Sequence, residues 1–370
     1  MTNLLLNEES SKGISLCSCL RTRNIPNGTR EIIRSCSWMQ DLIYNHTARQ
    51  NKVVGLTDSL LPGSHNSATW DLKDQLGIDF EEEHPKLAHA LQRCCPSIMR
   101  PWAKCQTHSI IQQLQLGIRY FDLRIAINRE NEFHLLHGLV ATETLPQVLE
   151  NVKIFVTNHP FEIVVLDVVH MFGFTREFHN AALMQLINNT LGEHLARPST
   201  FKKSDDDSLP SLNEVWRSSG RVFVFLYEQD CGTLSGLDFC HSIWPRLKYI
   251  DSPWLQCSST DQLLCRSYQV VSRFYPPHAK SARIQALQYV LTPSTSQILL
   301  GILSVCLNIV FSPTSLLKLN ESAISELTKR ADELLAKPNV IILDGWNTTS
   351  DSYNYIIQIL IEENRKRLNE

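Results

Sequence analysis

Past residue 35 the chain alternates between short apolar runs and longer amphipathic stretches. The short runs are residues 117–125 (GIRYFDLRI), 133–136, 162–169 (EIVVLDVV), 221–227 (RVFVFLY) and 340–343 (VIIL). Their length and their β-branched and aromatic content mark strands. EIVVLDVV is apolar on both faces, which suits a strand covered on both sides. Between these runs, apolar positions recur at three- and four-residue steps over 145–156, 178–191, 322–335 and 352–367, the period of a helix with one buried face. This alternation predicts an α/β fold with a parallel sheet, closed into an irregular TIM-type (β/α) barrel or doubly wound.

Residues 1–35 are polar, poorly periodic and contain the turn signal Pro26-Asn27-Gly28, so a flexible extension is expected there. A single barrel domain is then expected over 36–370, its folded part starting near Trp38. The segment 202–208 (KKSDDDS) reads as a charged, exposed loop. The most apolar stretch, 298–311, is shorter than the roughly 20 residues a bilayer span needs and is expected to be a buried helix, with an interfacial segment as the alternative.

Composition narrows the class. The net charge of −3 supplies no global basic field, so nucleic acid is not an expected partner. The 11 cysteines follow no zinc-ligand spacing, and no apolar leader follows Met1. Reduced, buried thiols in a cytoplasmic protein are the expectation.

Several strands end in reactive side chains. The segment LPGSHNS breaks at Pro62-Gly63 and presents His65 and Asn66. Asp122 and Arg124 lie two apart on one strand and so share a face. His137 closes the next strand, Asp167 and His170 close another, and Asp344 follows VIIL. In a parallel barrel the carboxyl ends of the strands meet at one face, so these positions are expected to converge. Taken singly, each has a structural explanation: a turn histidine, an internal ion pair, a helix cap. The constellation carries the inference.

The ordered segments LPGSHNS, GIRYFDLR, LLHG, NHPFEIVVLDVVH and VIILDGW resemble the X region of phosphatidylinositol-specific phospholipases C. The similarity is strongest to the small X-domain-only proteins and runs from about Leu56 to the C-terminus, with YVLTPS (289–294) and Trp244-Pro245 adding to it. It implies a phosphodiesterase that cleaves phosphatidylinositol-type lipids to diacylglycerol and an inositol (cyclic) phosphate. His65 would be the general base, His137 the general acid, and Asp344 the carboxylate orienting the base. Arg124 would neutralise the phosphoryl group, with Asp122 holding it. Asn66, Asp167 and His170 would line the headgroup pocket.

Arg124 precedes His137 by 13 residues, as in the bacterial enzymes of the family, whereas the calcium-dependent enzymes place an acidic residue there. No metal and no cofactor are therefore expected, with calcium as the alternative, because Asn66 and Asp122 stand where those enzymes keep ligands. The resemblance implies a monomer that touches membranes peripherally, through apolar rim loops near Trp70, Trp102 or Trp254. A catalytically weak or inactive headgroup-binding module on the same barrel is the competing expectation. A metal-dependent lipid phosphodiesterase is a third, disfavoured by the charge at Arg124.

Overall fold

The computed structural model describes residues 20–24, 30–47, 55–83, 85–86, 88–89, 96–201, 208–227, 242–276, 283–294, 296–298, 300–301, 315–346 and 351–369. Its strands are, in chain order, β1 (Leu20–Asn24), β2 (Arg30–Arg34), β3 (Leu61–Ser64), β4 (Leu72–Leu76), β5 (Tyr120–Ile127), β6 (Phe133–His137) and β7 (Leu139–Ala141). There follow β8 (Val164–Phe172), β9 (Val222–Leu226), β10 (Trp244–Pro245), β11 (Ile250–Asp251), β12 (Ile284–Gln288) and β13 (Val340–Leu343).

Eight of them form a continuous run in the order β10-β9-β8-β5-β3-β13-β12-β11, and every neighbouring pair in that run is parallel. Among the described residues β10 and β11 do not pair, so the barrel has an open seam there. The irregular α/β barrel expected from the sequence is the fold observed. A small antiparallel flap, β6 on β5 and β7 between β6 and β4, stands beside it.

The local reasons follow from residue type. All five residues of β9 (VFVFL) are buried, as a parallel strand covered on both faces requires. The helix Leu145–Asn158 opens with a Thr144–Gln147 capping box and a proline in its first turn, and it buries Val148, Leu149, Val152, Phe155 and Val156 against the sheet. Some boundaries differ from expectation. The stretch 117–125 is a strand only from Tyr120, because Gly117 adopts φ 102° in leaving the helix Ile110–Gln115. The expected helix over 322–335 begins earlier, at Leu316, where the Ser315 side chain accepts from Lys318 N, and it breaks at Arg330 before the short helix Ala331–Leu334. β8 runs on to Phe172, with a register shift opposite Leu123/Arg124.

Within the expected extension, β1 and β2 pair as an antiparallel ladder. The loop expected at 202–208 and the apolar stretch 298–311 fall largely outside the described residues.

The amino ends of β5 and β8 are tied by a buried ion pair. Arg119 Nε and a terminal nitrogen reach Glu162 Oε2 at 2.8 and 2.7 Å. The guanidinium also donates to the Leu114, Ile118 and Cys36 carbonyls and lies 4.7 Å from the Phe155 ring centroid. Both partners are fully buried, so removing one strands the other. This knot holds the end of the barrel opposite the reactive residues.

β3 lies between β13 and β5, and Gly63 is what allows the approach. A Cβ there would sit 2.9 Å from Val340 Cγ1 and 3.1 Å from the Ile341 carbonyl oxygen. Gly63→Ala is therefore expected to destabilise the protein by about 1–3 kcal/mol through overpacking. Urea unfolding of the two proteins measures this, and an unchanged midpoint would show that β3 and β13 have slack.

Candidate active site

Strand register determines what meets at the barrel mouth. Leu343 pairs with Ser64, and Ser64 with Phe121. The next residues along the three strands, Asp344, His65 and Asp122, therefore lie at one level. Asp122 in turn pairs with Asp167 on β8. Four titratable side chains distant in sequence thus share one layer across four parallel strands, with His65 and Asp344 just past the carboxyl ends of β3 and β13 and Asp122 and Asp167 within β5 and β8, which run on beyond it.

His65 is the centre of this layer. Its Nδ1 lies 2.9 Å from Asp344 Oδ1. An ionised carboxylate only accepts, so Nδ1 carries a proton, and Nε2 presents a lone pair once the ring is neutral. That lone pair receives the Asn66 amide at 3.0 Å. The second oxygen of Asp344 takes Asn320 Nδ2 at 2.9 Å, and Asn320 Oδ1 accepts from Leu291 N at 2.7 Å. A chain of hydrogen bonds thus fixes the carboxylate before it fixes the imidazole. Burial is the largest influence on the His65 ring and works against its charged form. The Asp344 carboxylate overcomes it, and His65 is held well above the ordinary histidine value.

His137 ends β6, with its ring centroid 6.1 Å from that of His65. Its Nδ1 lies 3.0 Å from the Ala103 carbonyl oxygen, which can only accept, so Nε2 is the nitrogen left for chemistry. Burial first, then the Arg124 guanidinium, then His65 push His137 down to about 3. In the ligand-free protein His137 is therefore neutral at physiological pH. This differs from the charged acid that two ordinary imidazoles would provide, and the reasons are burial first and the Arg124 guanidinium second.

Arg124 is half-buried, and its Nε is buried with no hydrogen-bond partner. The expected pairing with Asp122 is not formed. Asp122 Oδ2 instead approaches His65 Nε2 at 4.0 Å, and Asp122 Oδ1 has no partner. Asn66 Oδ1 is likewise buried and unpartnered, and Asn66 holds the unusual φ of 41°. Local strain and unsatisfied polar atoms cluster at functional sites. Asn66 and Asp122 each leave one buried oxygen unpartnered, and the strand that carries Asp122 also carries the Arg124 guanidinium. A calcium ion takes six to eight oxygens, so these residues do not fit one.

Asp167 is buried and engaged. Arg246 Nε reaches Oδ1 at 2.7 Å, Arg246 also reaches Oδ2 at 3.2 Å, and the Tyr120 hydroxyl donates to Oδ2. His170 is exposed, and its ring lies near Phe172 and Tyr227, at centroid distances of 5.9 and 5.8 Å. Of the three tryptophans expected at the rim, Trp102 is buried, Trp70 is partly buried with its indole donating to Glu143, and Trp254 is 55% exposed.

Four supporting residues were not anticipated. Asp79 Oδ2 accepts from Gly138 N at 2.7 Å while Gly77 N donates to the Gly138 carbonyl at 2.9 Å, so the turn after His137 is held from both sides. Cys105 touches His137 Nδ1 at 3.4 Å and the Asn66 amide at 3.5 Å. Arg246 holds Asp167, and Asn320 holds Asp344. Only Asn320 left a mark in the sequence, as a polar residue within the apolar stripe Leu316, Leu319, Ala323, Ile324, Leu327. A segment distant from both histidines supports them together. Ala103 receives the His137 ring, and Gln106 Nε2 donates to the His65 and Leu343 carbonyls at 2.7 and 3.1 Å.

Comparison with known proteins bears on the fold and on the family resemblance. The family profile "Phosphatidylinositol-specific phospholipase C, X domain" matches residues 97–218. The chain is 28% identical to PI-PLC X domain-containing protein 3 of Mus musculus over 256 residues, covering 68% of this chain and 74% of that one. It is 29% identical to PI-PLC X domain-containing protein 1 of Homo sapiens over 196 residues, 51% of this chain and 56% of that one. The fold is that of bacterial phosphatidylinositol-specific phospholipases C. A Staphylococcus aureus structure (the F249X mutant) matches with TM-score 0.58 at 16% identity, covering 89% of this chain and 98% of that one. The Listeria monocytogenes structure matches at 0.54 and 15% identity, covering 88% and 98%. The resemblance read from the segments is borne out: the chain is similar to the PI-PLC X domain-containing proteins.

If Asp344 is what raises His65, Asp344→Asn leaves burial to dominate. The His65 titration, followed by NMR of the imidazole, is then expected to move down. A midpoint unchanged from the parent would assign the elevation to another group.

Proposed function

We propose that this protein is a phospholipase C-like phosphodiesterase acting on phosphatidylinositol-type lipids by two-histidine acid–base chemistry. The observation that carries this reading is the pair itself: His65 oriented by Asp344 at 2.9 Å, with His137 about one phosphate group away at a ring separation of 6.1 Å and an Arg124 whose Nε has no partner.

In this reading His65 Nε2 exchanges the Asn66 amide for the inositol 2-hydroxyl and takes its proton. The oxygen so exposed attacks phosphorus within the same molecule, giving a cyclic phosphate, and His137 Nε2 protonates the departing diacylglycerol oxygen. Arg124 faces the charge that grows on phosphorus, worth about 3–4 kcal/mol for a well-placed donor. The same guanidinium explains how His137 becomes an acid. Burial and the positive charges of Arg124 and His65 together hold His137 at about 3; a bound phosphodiester anion would offset the charge contribution, so substrate itself would raise the pKa of its proton donor. Asp167 keeps Arg246 at the mouth, where its guanidinium and the His170–Tyr227 edge would meet headgroup hydroxyls. Asp122 and Asn66 would use their unpartnered oxygens in the same way.

The protein would act at a membrane surface from the cytoplasmic side, as a monomer. Exposed apolar residues follow the carboxyl ends of three strands: Phe178 after β8, Leu247 after β10 and Trp254 after β11. Together they would form an apolar rim around the mouth. Among the described residues, no helix is long and apolar enough to cross a membrane. A headgroup-binding module without turnover is the second reading, favoured only by the neutral state of His137 in the ligand-free protein.

Phosphorus NMR of the protein with phosphatidylinositol in mixed micelles, with and without EDTA, is expected to show inositol 1,2-cyclic phosphate in both cases. His65→Ala and His137→Ala should each abolish it. Normal turnover in either variant defeats the mechanism.

The pH dependence follows from the two shifts. A base must be deprotonated and an acid protonated, yet here the base lies above the ordinary histidine value and the acid near 3. For such a reversed pair kcat/KM, which reports the free protein, is a low plateau between the two values. It is expected to fall below about pH 3 and again as pH rises through the elevated His65 value. An alkaline optimum would contradict the assignment.

A further inference from the structure

Among the described residues one cluster of three metal-capable donors stands out, and it is not an oxygen set. A ring nitrogen of His65, the Cys105 sulfur and a carboxylate oxygen of Asp344 lie within 4.8 Å of one another. The nitrogen that faces Asp344 is Nδ1, 2.9 Å from Oδ1. Cys105 and Asp344 are fully buried, while the His65 ring keeps 12% of its surface open to the mouth. The two-histidine reaction has no use for a thiol, yet this one is set against both histidines.

Donor chemistry selects the ion. Calcium and magnesium take oxygen shells. Thiolate, imidazole and carboxylate together suit zinc and its neighbours. Bond lengths of about 2.3 Å to sulfur and about 2.0–2.2 Å to nitrogen and oxygen put tetrahedral donors roughly 3.5 Å apart. The cluster thus needs only a small contraction. Asp344 is already held through its other oxygen by Asn320, the supporting bond that metal-ligating carboxylates usually have.

We propose that His65, Cys105 and Asp344 form an inhibitory binding site for a thiophilic divalent cation of the zinc class, seated where His65 and Asp344 share a proton. Binding of the ion stands on geometry alone; only its inhibitory effect rests on His65 being the base. The proton balance is definite. The cation takes Nδ1 and displaces its proton to solvent, while Nε2 keeps the other proton of the charged ring. The thiol also loses its proton, so two protons leave per ion bound. A His65 protonated at Nε2 has no lone pair for a substrate proton, so turnover stops. Because the ligands must lose protons to bind the ion, affinity rises with pH.

The test uses the full chain, reduced and freed of metal. Cobalt(II) is added and followed optically. A thiolate-to-cobalt charge-transfer band saturating at about one equivalent is expected. Zinc should displace it and Cys105→Ser should lack it. X-ray absorption of the zinc-loaded parent protein should find a single sulfur at about 2.3 Å with nitrogen and oxygen neighbours. A band that persists in Cys105→Ser, or two or more sulfurs around zinc, would place the ion on the chain's other cysteines and overturn the site. The sulfur count decides even if the variant fails to fold. In the phosphatidylinositol assay, zinc should inhibit the parent, and Cys105→Ser should need at least tenfold more zinc to halve its own rate. Cobalt bound through Cys105 with turnover undiminished would overturn inhibition. Cobalt bound in a protein that never turns over would instead sink the phosphodiesterase reading and leave the site standing.

Discussion

The pairing of the last strand with the first is the constraint on which the rest depends. β13 lies against β3 in parallel register from Val340↔Leu61 to Leu343↔Ser64. This brings Asp344 to His65 across 279 residues of chain. No local preference could create that contact, and no flexible side chain could replace it. The register must be right to one residue, because a slip by one turns every side chain to the other face. Gly63 allows the two backbones to approach, and Trp346 Nε1 secures the crossing by donating to the Gly63 carbonyl at 2.8 Å. The Arg119–Glu162 knot holds the far end of the barrel, so the mouth is built on a rigid base.

Electrostatics then separates two chemically identical side chains. His65 and His137 are both buried, and burial alone would lower both. One faces a carboxylate and rises; the other faces a guanidinium and falls. The difference is the ordinary rule that an opposite charge favours the charged form and a like charge opposes it. It also makes the site responsive to its ligand. An anion between Arg124 and His137 would offset the charge part of the depression, though not the larger part due to burial. The unpartnered oxygens of Asn66 and Asp122 and the unpartnered Arg124 Nε fit the same picture, since polar atoms left unsatisfied in the empty protein are available to a ligand.

The segment between Ala103 and Gln106 has an importance its sequence does not announce. It supplies a carbonyl to one histidine ring, an amide to the other's backbone and a thiol to the space between. Positioning both rings from one strip of backbone couples them mechanically. It also makes the sulfur at Cys105 a local peculiarity of the site, chemically unlike the oxygens and nitrogens around it.

Periodicity and residue type were sufficient for the architecture. Apolar runs separated by amphipathic stretches specify parallel strands and covering helices. The site residues His65, His137 and Asp344 were legible because each lies at a strand's carboxyl end, and Asp122 because it is a charged residue inside an apolar strand, positions read locally. The order of motifs along the chain then gave the resemblance. Tertiary structure decided what each group faces. Asp122 turned from Arg124 to His65, Asp167 was claimed by Arg246 and Tyr120, and Trp102 was buried while Trp254 remained exposed. Cys105, Asp79 and Arg246 entered the site with no spacing to betray them. The physical reason is one of range. Strand and helix propensities act over a few residues, whereas protonation states and hydrogen-bond partners are set by neighbours in space, which only the closed barrel brings together.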